Sequence, residues 1–176
     1  MSGAVIWFTG LSGAGKSTIA EIVGRELEAQ GAIVDYLDGD VVRTHLTKGL
    51  GFSKEDRDTN IERIGWVASR IARAGGTVIV SAISPYAETR AKARALAEDV
   101  GAQFVEVHVA TSVDECARRD VKGLYAKAFA GELKEFTGVS DPYEEPESPE
   151  LRVETEGRGP EASAREVIVY LEGVPA

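Results

Sequence analysis

Gly10-Leu11-Ser12-Gly13-Ala14-Gly15-Lys16-Ser17 satisfies the pattern G-x-x-x-x-G-K-[ST] at every position. Glycines at this density let the backbone wrap a polyphosphate with successive N–H groups turned inward. The flanking residues supply the right context. Ala4 to Thr9 is an apolar run that enters the loop as a strand. Ser17 to about Gln30 leaves it as a helix, with Ile19, Ile22, Val23 and Leu27 along one face. A helix starting at Ser17 aims its positive end at the same anion. Lys16 adds a cation for the β- and γ-phosphates, and the Ser17 hydroxyl is a ligand for Mg²⁺. ATP or GTP binding with Mg²⁺ follows, and the bland alternative is a glycine turn that binds nothing.

Further along the chain, apolar runs alternate with segments of helical period, the pattern of an α/β protein with a largely parallel sheet. Strands are predicted over 33–37, 77–83, 103–109 and near 151–155. Helices are predicted over 41–46, 54–74, 85–100, from Ser112 to about Asp120, and over 161–172. Ser53 stands three residues before Asp56, and Ser112 three before Glu115, as helix caps do. The stretch Lys122 to Ser140 mixes lysine, glycine and aromatics, Asp141 to Pro149 is an extended loop, and the acidic stretch Glu144 to Glu150 is read as solvated. With right-handed crossovers these elements make a three-layer α/β/α sandwich around a five-stranded parallel sheet, of the P-loop NTPase type. The whole chain, 1–176, is read as one domain.

The chain has 176 residues, with 20 basic against 29 acidic side chains, and that excess of acid argues against a general nucleic-acid binder. No run of 18 apolar residues exists to span a membrane, and the first residues carry no basic leader. One cysteine, Cys116, cannot form an internal disulfide. A cytoplasmic setting is the expectation. His45 and His108 are read as structural, because no cysteine or histidine partners them at metal spacing, Cys116 as a core thiol in a helix with Val113 and Ala117, and Trp7 as core by its alternation in the strand.

The use made of the nucleotide is a separate question. No Asn-Lys-x-Asp guanine signature is present, and the third strand does not end in a lone aspartate. Asp38 and Asp40 follow the second strand instead, where the carboxyl edge of a parallel sheet faces its ligand. That place suits a base or an outer-shell partner of Mg²⁺, while the bland alternative is an Asp-Gly turn capping the next helix. Between the second and third strands come Arg43, Leu50-Gly51-Phe52-Ser53, Arg57, Asn60 and Arg63. Two arginines, an amide and an aromatic suit an anionic substrate with a flat ring. A solvated helix beside a packed Phe52 fits the same spacing equally well.

Several short stretches together resemble the adenylyl-sulfate kinase family. They are Gly10 to Thr18 (GLSGAGKST), Asp38 to Arg43 (DGDVVR), Leu50 to Ser53 (LGFS), Arg57 to Arg63 (RDTNIER) and Ile83 to Tyr86 (ISPY). Arg119 to Tyr125 (RDVKGLY), Phe136 to Gly138 (FTG) and Asp141 to Pro146 (DPYEEP) complete the set. The resemblance implies a kinase that phosphorylates the 3′-hydroxyl of adenylyl sulfate from ATP, working as a homodimer.

By that resemblance Gly10 to Thr18 bind ATP phosphates and Arg118 or Arg119 lies against its adenine. Arg43, Arg57 and Asn60 hold the phosphosulfate and ribose of the acceptor, together with Asp38, Ile83 and Ser84. Phe52 and Phe136 sandwich its adenine, and Asp40 faces its 3′-hydroxyl. A mobile lid of about 118–140 closes over both nucleotides with Lys122 near the phosphates, and Ser84 falls at the family's phosphoserine position. The chain departs from the family at Val41 and Thr47, where asparagines are frequent. Two other possibilities are a kinase of this fold with another acceptor and a nucleotide-gated module without turnover. The second could do without Asp40 and Lys122, and this chain has both.

Overall fold

The computed structural model describes residues 3–173. In chain order its elements are β1 (Ala4–Thr9), α1 (Lys16–Ala29), β2 (Val34–Asp38), α2 (Gly39–His45), α3 (Lys54–Arg73), β3 (Thr77–Ser81) and α4 (Ala87–Glu98). Then come β4 (Gln103–Val109), α5 (Val113–Arg119), α6 (Leu124–Phe129), β5 (Leu151–Val153) and α7 (Pro160–Glu172). The five strands lie in the order β2-β3-β1-β4-β5, all parallel. Parallel neighbours require crossovers, and the helices supply them on both faces of the sheet. The three-layer α/β/α arrangement read from the sequence is therefore present.

Successive residues of β1 point to opposite faces, so the strand serves two cores. Ile6 and Phe8 pack with Ile19 and Val23 of α1 and with Val167 of α7. Val5 and Trp7 pack with Ile61, Ile64 and Ala68 of α3 and with Ala93 and Ala97 of α4. Trp7 is core, as its alternation in the strand implies. Helices α3 and α4 meet through small side chains. A Cβ on Gly65 would stand 3.0 Å from that of Ala93. This buried scaffold leaves the carboxyl ends of β1, β2, β3 and β4 along one edge, and the loops that follow them meet there.

Most boundaries agree with the sequence within a few residues, and the exceptions have causes. β3 stops at Ser81 rather than Ile83, because the chain turns sharply at Ser84, whose φ is 45°. Helix α4 starts at Ala87, after Pro85. Helix α6 inside the mixed stretch was not anticipated, since six residues are too few to show a period. Its start is fixed by Gly123 at φ 67° and by the Asp120 carboxylate, which accepts from the N–H groups of Tyr125 and Ala126. The acid-rich stretch is a loop, but the expectation that it is merely solvated is wrong. Glu150 Oε2 accepts from Arg94 and from the Glu106 N–H, both at 2.7 Å, and the Glu144 N–H donates to the Pro85 carbonyl at 2.8 Å. The loop is a strap fastened across the carboxyl edge.

Candidate active site

The loop after β1 is held from three sides. Gly10 passes so close to β4 that a Cβ there would lie 2.6 Å from the Val109 carbonyl oxygen. Gly13 and Gly15 have φ of 74° and 104°, a region that side chains disfavour. Tyr125 of α6 donates its hydroxyl to the Ser12 carbonyl at 2.7 Å. No side chain caps the start of α1, so nothing in the fold competes there for an anion. Lys16 is buried and donates to the Leu11 carbonyl at 2.7 Å. Burial pulls its pKa down to about 8, while Cys116 and Asp38 act in the opposite direction. The Cys116 thiol is itself buried behind the loop and shifted upward by that burial, in keeping with a core role.

Strand register explains the next contact. Asp38 ends β2 beside Ser81 of β3, which lies beside Phe8 of β1. The Ser17 hydroxyl at the start of α1 therefore reaches both, donating to Asp38 Oδ2 at 2.6 Å with Ser81 Oγ at 3.2 Å. Asp38, expected among the acceptor-binding residues, is thus the neighbour of the expected metal ligand. Its other oxygen accepts from the Asp40 N–H at 3.0 Å, so it also caps α2, as the turn alternative held. Asp40 stands exposed at the rim, and Lys122 from the stretch between α5 and α6 pairs with it at 2.6 Å.

On one flank of the loop, a cleft of about 500 Å³ is lined by Gly13, Thr18, Arg118, Arg119, Thr155 and Arg158. Both Arg118 and Arg119 grip Glu115, holding its carboxyl at about 2. Arg119 also donates to the Thr155 carbonyl at 3.3 Å, while Arg118 is largely exposed.

The other flank departs from expectation in detail. Arg43 donates to the carbonyls of Leu50 and Gly51 and lies 4.5 Å from the centre of the Phe52 ring. Phe52 is 57% exposed, so it is not a packed core residue. Arg57 and Asn60 are buried, so the solvated-helix alternative fails. Their polar ends meet protein partners. Arg57 donates to Thr137 Oγ1 at 3.0 Å and to the Glu135 carbonyl, and pairs with Asp141 at 3.1 Å. Asn60 accepts from Thr47 at 2.7 Å, so the family's missing asparagine is replaced by a hydroxyl aimed at Asn60. Arg43 titrates lower than usual, first because of burial and then because Arg57 is near, which marks a spot where a bound anion would relieve charge. Phe136 is half-buried, edge-on to Tyr125 with ring centres 5.0 Å apart.

Ile83 is half-buried and its carbonyl accepts from Thr9 Oγ1 at 2.7 Å. Ser84 is only 1% exposed, accepts from the Trp7 indole N–H at 3.0 Å and donates to the Ala82 carbonyl at 3.2 Å. The Ser84 hydroxyl is thus buried between an indole donor and a backbone acceptor. Sequence spacing offered no signal for Thr9, Arg90, Tyr125 and Tyr143, whose partners lie far along the chain.

A parallel sheet with a lysine-bearing phosphate loop at its carboxyl edge, and an arginine- and aromatic-lined rim opposite, defines a P-loop kinase. The profile of the adenylylsulphate kinase family matches residues 2–154, and the chain belongs to that family. An adenylyl-sulfate kinase of Picosynechococcus is 54% identical over 169 residues, covering 96% of this chain and 93% of that protein. A probable bifunctional SAT/APS kinase of Sorangium cellulosum is 55% identical over 98% of this chain, which spans only 29% of that longer protein. The Mycobacterium tuberculosis APS kinase CysC, solved in complex with AMPPNP and APS, superposes with a TM-score of 0.93 at 48% identity, over 98% of this chain and 99% of that one. A sugar kinase from Janibacter, at 16% identity and a TM-score of 0.66, shares the fold alone.

Proposed function

We propose that this chain moves the γ-phosphoryl group of ATP to the 3′-hydroxyl of adenylyl sulfate, giving 3′-phosphoadenylyl sulfate and ADP. The observation that carries this is the convergence of Lys16, the Ser17–Asp38 contact and the Asp40–Lys122 pair on one sheet edge. ATP takes the loop, with its base in the cleft beside Arg118 and Arg119. Lys16 then exchanges the Leu11 carbonyl for phosphate oxygens. The acceptor takes the rim of Arg43, Phe52, Arg57, Asn60 and Ile83, with Phe136 closing from the other side.

Transfer between two bound nucleotides needs in-line positioning and charge neutralisation more than covalent chemistry. Asp40 orients and accepts the proton of the attacking hydroxyl, and Lys122 leaves Asp40 for the phosphoryl oxygens. The stretch 118–140 acts as a lid that excludes water. The hydroxyl and carboxylate oxygens of Ser17 and Asp38 fit Mg²⁺, a hard cation with oxygen ligands. When bound there it supplies charge neutralisation to the phosphates. A reducing cytoplasm suits the single buried cysteine, and sedimentation measures whether the chain pairs as a homodimer. To test the function, the protein is mixed with MgATP and a panel of acceptors. ADP and a phosphorylated product with adenylyl sulfate alone support it, and turnover only with another acceptor refutes it.

A further inference from the structure

The turn 82–86 stands at the acceptor edge, directly after β3, and it is held in an unfavourable shape. Ser84 sits at φ 45°, a left-handed conformation that a serine keeps only where its surroundings enforce it. The enforcing contacts come from three separate elements. Thr9 of β1 donates to the Ile83 carbonyl, and Trp7 of β1 to the Ser84 hydroxyl. The strap donates through Glu144 N–H to the Pro85 carbonyl. Arg90 of α4 donates to the Ser84 carbonyl at 2.7 Å, to the Glu144 carbonyl at 2.7 Å and to Glu106 of β4 at 3.0 Å.

Arg90 ties the turn, the strap and the sheet together through one guanidinium. It is 3% exposed and its guanidinium lies 5.9 Å from the Tyr143 ring, whose hydroxyl meets Thr9 at 2.9 Å. Each of its three nitrogens serves a different acceptor, two carbonyls and a carboxylate, a planar spread that the single nitrogen of a lysine does not match. Arg94 shares Glu106 with Arg90 and also pairs with Glu150, but its contacts do not reach the turn.

We propose that Arg90, seated on Glu106, is a positioning residue for the acceptor nucleotide: it sets the Ile83–Ser84–Pro85 turn and locks it to the strap. It touches neither nucleotide and acts through the turn. The inference rests on the acceptor assignment above, in which Ile83 lines the acceptor site. It separates the two substrates, because none of the groups Arg90 touches belongs to the phosphate loop.

The test compares Arg90→Lys with Arg94→Met, the latter a control that weakens the same Glu106 network without touching the turn. KM for adenylyl sulfate, KM for ATP, kcat and the melting temperature are measured for each, at a temperature where both are folded. Arg90→Lys should raise KM for adenylyl sulfate at least tenfold, with KM for ATP within twofold of wild type. Arg94→Met should lower the melting temperature and leave both KM values within twofold. Adding Ser84→Gly to Arg90→Lys should recover part of the acceptor KM, since glycine adopts the turn conformation without enforcement. Equal rises in both KM values for Arg90→Lys, or an acceptor KM raised as much by Arg94→Met, would overturn the proposal. Wild-type protein that fails to phosphorylate adenylyl sulfate would instead overturn the acceptor assignment, and that is read before any variant is made.

Discussion

Lys16 combines two demands that oppose each other: the loop buries it, and the phosphates require it charged. Burial lowers its pKa from 10.5 to about 8. The unfolded chain therefore binds more protons than the folded one between those values, so ligand-free stability rises with pH across about 8 to 10.5. Below pH 8 both states hold the proton and the cost of burying the charge is fully present. Bound phosphates favour the charged form, so ATP binding above pH 8 takes up a proton and its affinity falls, by at most about tenfold per pH unit. Calorimetric titrations at pH 7 and 9.5 in buffers of different ionisation enthalpy measure this, and an affinity constant over that range would contradict it. Lys16→Ala should flatten the profile and lower transfer by about 10²-fold or more. Phe52 offers the opposite case, a large apolar ring left open. Phe52→Ala should weaken acceptor binding by about 1 to 3 kcal/mol, roughly 5- to 150-fold, as loss of base stacking does. ATP affinity and melting temperature should stay unchanged, because an exposed ring supports no core. Titrating each nucleotide separately, beside a melting curve, decides it.

Among the elements, α3 does more than cover the sheet. Its first turn is capped by Ser53, which accepts from the Asp56 N–H at 3.1 Å, while the Asp56 carboxylate takes the Gly51 N–H at 2.8 Å. These two bonds fix the Leu50–Ser53 loop, and with it Phe52, to the helix. One turn on, Arg57 grips the segment 135–141. The same helix therefore holds both the Leu50–Ser53 loop and the segment 135–141. Arg57→Ala should release that segment. The ion pair is mostly buried but Asp141 keeps some solvent access, so the cost is set at about 1 to 3 kcal/mol, below the 3 to 5 typical of a fully buried pair. Limited proteolysis should show faster cleavage within 130–141, against little change elsewhere. Uniform acceleration along the chain would mean that Arg57 supports the fold generally and not the segment 135–141 in particular.

At the level of the molecule, the basic groups that serve the site are gathered against the overall charge. The chain carries a net charge of −9, yet Lys16, Arg43, Arg57, Arg118, Arg119 and Lys122 surround one sheet edge. Four of these cations are paired in the free protein, with Glu115, Asp40 and Asp141, so an incoming polyanion competes with carboxylates for them, while the net negative charge disfavours long nucleic acids. Ligand binding should stabilise the whole fold in turn. At 100 times its Kd a ligand adds about 2.7 kcal/mol, worth roughly 5 to 11 °C in melting temperature for a chain this size. MgATP should produce a shift in that range, and a chelator should remove most of it by taking the cation from the Ser17–Asp38 oxygens. An unchanged shift with chelator would show that the metal adds nothing to ATP binding here. Among the described residues no helix is long and apolar enough to cross a membrane.

Local chemistry made much of this legible in the chain. The glycine-lysine-serine loop, the apolar strands, the helix faces and the Ser53 and Ser112 caps all depend on residues within a few positions of one another, so periodicity and spacing reveal them. The contacts that assign roles do not. Lys122 meets Asp40 across 82 positions, Arg57 meets Thr137 across 80, and Trp7 meets Ser84 across 77. No spacing rule could show that Ser84 is buried, that Arg57 grips Thr137 and Asp141, or that Glu150 is held by Arg94. Each of those depends on which strands become neighbours, because a parallel sheet brings distant segments to a common edge, and only that edge decides which polar groups find partners and which are left for a ligand.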